Sequence, residues 1–297
     1  MAEARVQAHD AENRRMFGSG EPLRVAVLGA GQLGRALLTG LADSCRGSGI
    51  ELAATTRRQS DLGPDVRAVS LEEDPQANQR FARWADIIVL AVRPAQTMPL
   101  LREIAADLRS RSVVVPLAIG LTAADVESAL PSGVGVVRAM PNLPVEVRRG
   151  VIGLASAARA GEAAVARVRG LFELVGAVIE VPDERLDVLS MVSGAGPAYV
   201  CFLIEEFAAA ARALDFDDAT ASQLVFETFH GTISLLEASG RAPSALLREI
   251  ASPGSATERA VAVLGRAGLA EHAECAMRAG ICRAEELHGA ILGTPES

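Results

Sequence analysis

Arg24-Val25-Ala26-Val27-Leu28-Gly29-Ala30-Gly31-Gln32-Leu33-Gly34 decides the fold. A short apolar, β-branched run bounded by Pro22 enters a glycine turn. Apolar residues then recur at Leu33, Ala36, Leu37, Gly40 and Leu41, the spacing of one helical face. The order is strand, glycine turn, helix. The first glycine of such a turn permits the tight bend, the second lets the backbone approach a pyrophosphate, and the third lets helix and strand pack closely. The helix start then offers unpaired N–H groups to the phosphates. Gly29, Ala30, Gly31, Gln32, Leu33 and Gly34 are therefore the candidate dinucleotide cradle; the plainer alternative is an ordinary glycine-rich strand-to-helix turn.

The second strand reads as Ile50-Glu51-Leu52-Ala53-Ala54-Thr55-Thr56 and continues into Arg57-Arg58. An acid at that strand end would accept from a ribose 2′-hydroxyl and repel a 2′-phosphate. A hydroxyl followed by two guanidiniums does the opposite, since guanidinium binds phosphate bidentately. Thr56, Arg57 and Arg58 thus favour NADPH over NADH, the alternative being a solvated surface pair of arginines.

Further strands are expected at 86–92, 112–117 and 133–138, with weaker ones at 150–156 and 176–181. The first three run into Arg93-Pro94, Ile119-Gly120 and Pro141-Asn142, the residues that a loop at the carboxyl edge of a sheet requires. After Pro182 the strand signal stops. Helices are expected over 186–214, interrupted at 193–197, and over 219–239, 244–250, 256–266 and 270–291. Their faces are too apolar to be solvated all round, so they must bury against one another or against a second subunit. The fold class is α/β, in three parts: a flexible extension over 1–22, a doubly wound, mostly parallel Rossmann domain over 23–182, and an all-α dimerisation and substrate-binding domain over 183–297. Between two of the helices, Ser252-Pro253-Gly254-Ser255-Ala256-Thr257 starts a new helix near Ser255. Its first N–H groups carry the positive end of the dipole, a socket for a small carboxylate, and Thr257 adds a hydroxyl in the first turn. The same residues equally describe a simple helix cap.

Composition narrows the chemistry. At 297 residues the chain exceeds the roughly 250 at which single cores stop growing. The net charge of −8 argues against a nucleic-acid partner, which needs a basic face. No run of about 18 uncharged apolar residues predicts a membrane span, and the polar start of the chain does not read as a signal peptide. There is no lysine: all 29 basic residues are arginine. Schiff-base catalysis, a pyridoxal anchor, a Walker lysine and a lysine general acid are thereby excluded. The last exclusion removes hydroxyacid dehydrogenases that pair a glycine-turn domain with a helical one. Cys45, Cys201, Cys275 and Cys282 are scattered and read as buried small hydrophobes, which suits the cytoplasm. His9, His230, His272 and His288 form no ligand pattern, so no metal site is expected.

Five segments together resemble the pyrroline-5-carboxylate reductase family, from about Arg24 to beyond Ala260. They are GAGQLG, Leu90-Ala91-Val92-Arg93-Pro94, Val137-Arg138-Ala139-Met140-Pro141-Asn142, Ser193-Gly194-Ala195-Gly196-Pro197-Ala198-Tyr199 and Ser252 to Thr257. The resemblance implies reduction of a cyclic imine, a homodimer interlocked through the C-terminal helices, and further assembly of such dimers. It implies cofactor contacts at the glycine turn, Thr56-Arg57, Asn78, the loop Ala91, Val92, Arg93 and Pro94, and Ala118. It places the substrate carboxylate on the N–H groups of Ser255 and Ala256, beside Gly254, with Thr257 hydrogen-bonded to the ring nitrogen. Four positions depart from the family pattern: Arg93 stands for lysine, Ala195 for serine, Ser255 for glycine and Leu143 for threonine. Other readings of the same residues are a paralogous reductase of a related ring and a catalytically silent NADP-binding protein.

Overall fold

The computed structural model describes residues 21–46 and 48–292. The expected extension lies, up to residue 20, outside the described residues. The chain divides into two compact units. One holds the residues up to Gly196 together with those from Gly280 onward; the other runs from Pro197 to Ala279.

The first unit is built on β1 (Leu23–Leu28), α1 (Gln32–Cys45), β2 (Ile50–Thr56), β3 (Val66–Ser70), α2 (Ala77–Trp84), β4 (Ile87–Leu90) and α3 (Pro94–Ile104). It continues through β5 (Val113–Pro116), α4 (Ala123–Ser128), β6 (Gly135–Met140), β7 (Gly150–Ser156), α5 (Glu162–Glu173), β8 (Gly176–Glu180) and α6 (Asp183–Leu189). The strands form one eight-stranded sheet in the order β3-β2-β1-β4-β5-β6-β7-β8. All neighbours run parallel except β6 and β7. Val25, Val27, Ile87, Val89, Val113 and Val115 face one apolar layer and Ala26, Leu28, Ile88, Leu90 and Val114 the other. Strands buried on both faces must be apolar throughout, which is why their sequences read as unbroken runs. With few aromatics, the core is filled by Val, Leu, Ile and Ala, and among the described residues Phe81 and Phe172 are fully buried rings. The order reverses between β1 and β4, and the crevice at that switch is where open α/β sheets bind ligands.

The second unit is helical. Its elements are α7 (Gly196–Arg212), α8 (Asp218–Ser239), α9 (Pro243–Ile250), α10 (Ala256–Arg266) and the first part of α11 (Leu269–Leu292). Phe202, Phe226, Ile233, Val263 and Leu264 are all more than half exposed on the single chain, an apolar surface of the kind that marks an interface. The last part of α11 belongs to the first unit. There Ala284 is buried, and a Cβ placed on Gly120 would fall 2.9 Å from the Ala284 carbonyl oxygen.

Four expectations change. The expected interruption at 193–197 is a π turn over Ser190–Gly194 that leads on into α7. The helical run Asp183–Arg212 is long and apolar enough to cross a membrane by length and composition, although no uncharged run suggested one. β3 pairs with β2 as an edge strand that the pattern did not reveal. Cys45 is buried as expected, whereas Cys201, Cys275 and Cys282 are exposed.

Candidate active site

The cofactor half lies at the carboxyl ends of β1, β2 and β4, within the first unit. Gly29 has φ +76, which only glycine adopts easily, and a Cβ there would lie 2.2 Å from Cγ1 of Val92. The turn and the Ala91–Pro94 loop are thereby pressed together. Gly34 would meet the Cβ of Ala91 at 2.9 Å, so the third glycine allows α1 to approach. At Gly31 the nearest atom to an added Cβ is the Gly29 carbonyl oxygen at 3.9 Å, so this glycine faces open space. The backbone of the turn is fixed by β2: the Gly29 N–H donates to Oγ1 of Thr55 at 2.9 Å and the Ala30 N–H to the Thr55 carbonyl at 2.8 Å. α1 has no side-chain cap and no acid in its first turn. Its leading N–H groups are therefore available to an anion, and no carboxylate opposes one.

Thr55 and Thr56 are both buried. The Thr56 hydroxyl donates to the Arg58 carbonyl at 2.7 Å, while the Arg57 side chain is exposed. Arg58 faces Glu72 at 3.5 Å in a solvated pair. Ala118 is buried just beyond β5, and the Leu117 N–H donates to the Leu90 carbonyl at 3.1 Å. Arg93 caps α3, with Pro94 as its first residue. Asn78 is committed elsewhere: its Nδ2 donates to Oε1 of Glu103 at 3.1 Å, and its buried Oδ1 has no partner.

A buried ion network stands behind the loop after β5. Arg138, on β6 and only 2% exposed, donates from Nη1 to Asp183 at 2.7 Å and from Nη2 to Asp187 at 2.6 Å. Asp187 also accepts the Gly120 N–H at 3.0 Å, and Asp183 accepts the Ala123 N–H at 2.7 Å. Both carboxylates thus tie α6 to the loop that follows Ala118. Asn142 plays a similar part, donating to the Ser193 carbonyl and accepting from the Val151 N–H, both at 2.9 Å. It pins the π turn to the end of β6. Arg138 and Asn142 lie within the Val137–Asn142 motif, but the partners that tie them to α6 and the π turn are 45 to 51 residues away and carry no local sequence signal.

The helical unit carries a separate group of candidate residues. Ser255 is the N-cap of α10, and its Oγ accepts the Glu258 N–H at 3.0 Å. Glu258 reaches back to accept the Gly254 N–H at 2.7 Å. Ser-x-x-Glu is a capping-box spacing, and that signal was readable in the sequence. The Ser255 side chain, which stands for glycine in the family pattern, serves as the helix cap. The Ser255 N–H, expected to meet a substrate carboxylate, donates to the Ser252 carbonyl at 3.0 Å. Among the described residues, the N–H groups of Ala256 and Thr257 and the Thr257 hydroxyl have no partner in this structure.

Comparison with known proteins agrees with both halves. Residues 24–120 match the family described as NADP oxidoreductase, coenzyme F420-dependent, and residues 183–287 match the family described as pyrroline-5-carboxylate reductase dimerisation. A pyrroline-5-carboxylate reductase of Corynebacterium melassecola is 31% identical over 89% of this chain and 98% of its own. The crystal structure of a Plasmodium falciparum pyrroline carboxylate reductase with NADP bound is similar at a TM-score of 0.79 and 25% identity, covering 90% of this chain and 99% of that one. A reductase structure from Coxiella burnetii gives a TM-score of 0.77 at 29% identity, over 89% and 97% of the two chains. The fold and cradle define an NAD(P)H-dependent oxidoreductase with a Rossmann domain and a helical dimerisation domain. The chain belongs to the pyrroline-5-carboxylate reductase family. The apolar surface of its helices, including the run Asp183–Arg212, falls within the matched dimerisation domain.

Proposed function

We propose that the chain reduces 1-pyrroline-5-carboxylate to L-proline with NADPH, the last step of proline biosynthesis, as a cytoplasmic homodimer whose dimers assemble further. The observation that carries the reading is the open donor set at the start of α10, two N–H groups and the Thr257 hydroxyl, in a chain that also holds a dinucleotide cradle. The Rossmann domain takes residues 23–182 and the dimerisation domain 183–297. When bound, the cofactor supplies the hydride. Gly29 to Gly34 hold its pyrophosphate, Thr56, Arg57 and Arg58 its adenosine end, and Ala91 to Pro94 with Ala118 its nicotinamide end. Asn78 joins them only if its amide turns from Glu103.

In the substrate half, Gly254 to Thr257 receive the carboxylate, chiefly on the Ala256 and Thr257 N–H groups. Oγ1 of Thr257 accepts a hydrogen bond from the protonated ring nitrogen and fixes the adjacent imine carbon for attack. A protonated cyclic imine is already an electrophile, so orientation and exclusion of water carry the rate and no strong general acid is needed. That suits a chain without lysine. Thr257 is the residue closest to the chemistry.

The Ala195 and Ser255 departures give a second reading its footing, reduction of a six-membered or substituted ring. Steady-state rates on a panel of cyclic imines with NADPH and NADH separate the two. A higher kcat/KM for 1-pyrroline-5-carboxylate than for the other rings is expected. Negligible turnover of that substrate, with turnover of another ring, would sink the first reading. NADPH binding with no imine turnover would leave a silent NADP-binding protein.

A further inference from the structure

The adenosine ribose of a bound dinucleotide lies at the carboxyl end of β2, and there an arginine accommodates a 2′-phosphate. Three guanidiniums surround that strand end. Arg57 is exposed and Arg58 is drawn toward Glu72. The third is Arg35, in the first turn of α1 directly after Gly34, and half-buried. Its Nη2 donates to Oγ of Ser60 at 2.6 Å, and the Ser60 hydroxyl donates to the Arg58 carbonyl at 3.2 Å. The Arg35 guanidinium is therefore held over the β2 end from the helix side. Among the described residues it has no carboxylate partner, in a chain with 37 acidic residues against 29 basic ones. A guanidinium carries five N–H donors and only one is engaged here. The others have no partner among the described residues, and Thr55 and Thr56 stand at that strand end in place of an acid.

We propose that Arg35, together with the exposed Arg57, clamps the 2′-phosphate of NADPH and is a determinant of cofactor choice. This deepens the NADPH reading given above and rests on it. The helix fixes Arg35 before the ligand arrives, whereas Arg57 sits on the surface loop. Arg35 is therefore the better-organised half of the clamp. Ser60 sets its direction.

The test uses the intact protein and two nucleotides without nicotinamide, adenosine 2′,5′-bisphosphate and adenosine 5′-monophosphate, with binding followed by calorimetry. Arg35→Ala is expected to weaken the bisphosphate at least about tenfold, the worth of a charge-assisted contact, and to leave the monophosphate unchanged. Ser60→Ala is expected to keep most of the bisphosphate affinity. Monophosphate binding reports that each variant is folded. Equal weakening of both nucleotides by Arg35→Ala, or equal losses from Arg35→Ala and Ser60→Ala, would make Arg35 a brace for the loop and overturn the proposal. No change in Arg35→Ala would overturn it too. A parent protein that binds the bisphosphate no better than the monophosphate would overturn the NADPH preference along with it. No imine is present, so each result stands apart from the substrate reading.

Discussion

Replacing Arg138 by Met is the perturbation whose effect the structure defines most sharply. Met fills much of the guanidinium's volume but leaves Asp183 and Asp187 facing a site from which their cation has gone. Arg138 is 2% exposed, and its two ion pairs are 2.7 and 2.6 Å long. Removing one partner of a buried pair costs roughly 3–5 kcal/mol, mostly through the charge left behind. The carboxylates keep about a quarter of their surface in water, 25% and 27%, and each retains one backbone N–H. That places the loss near the lower end, about 3 kcal/mol. At roughly 2–4 °C per kcal/mol for chains of this size, the midpoint falls by about 6–12 °C. Urea unfolding at fixed protomer concentration measures the change, because dimerisation contributes to stability. The triple variant carrying Arg138→Met, Asp183→Asn and Asp187→Asn is expected to recover most of the loss, since neutral amides can still accept from Gly120 and Ala123. A single variant within about 1 kcal/mol of the parent would refute the reasoning. So would a triple variant as unstable as the single.

Gly31 is the open position of the glycine turn. Gly31→Ala meets nothing closer than 3.9 Å and is expected to unfold like the parent while binding NADPH at least about tenfold more weakly, because the added methyl stands where a pyrophosphate approaches. Equal NADPH affinity, read by fluorescence titration, would contradict that. Thr257→Ala is expected to lower kcat by about tenfold or more with NADPH affinity nearly unchanged, as loss of a hydrogen bond to a charged group implies; equal losses in both would mark the residue as part of the helix start only. Burial raises the Cys45 thiol from 9.0 to about 12, partly offset by a hydrogen bond from Ser48. A raised folded pKa stabilises below the unfolded value and is lost as pH rises through the folded one. Stability is therefore expected to decline between pH 9.0 and about 12, and Cys45→Ala to flatten that decline in thermal melts.

Much of this architecture is legible in the sequence, for identifiable reasons. A parallel strand buried on both faces must be an unbroken apolar run, so the cores of β1, β4 and β5 stand out. The observed β4, Ile87–Leu90, is shorter than the apolar run that contains it because the residues flanking it bend into loops. β3 leaves no such signal, because Val66–Ser70 is a short edge strand without an unbroken apolar run. The helix at Ala256 and its cap are legible from the Pro-Gly break, and the partner of the cap, Glu258, follows from the Ser-x-x-Glu spacing. The Arg138 network and the Arg35–Ser60 contact were not readable in principle. Each joins elements that are distant in sequence and meet only once the sheet is assembled. The Asn78–Glu103 hydrogen bond is unreadable for the same reason, since it joins residues 25 apart on two helices.

The central claim is transfer of hydride from NADPH to the imine carbon of 1-pyrroline-5-carboxylate. NADPH doubly deuterated at nicotinamide C4, incubated with the imine and the protein, tests it by mass and NMR analysis of the product. The account predicts one deuterium in each L-proline formed, on Cδ, the former imine carbon and not the carbon that carries the carboxylate, with one NADPH oxidised per proline. NADPH oxidation without labelled proline, or label at any other carbon, would contradict it.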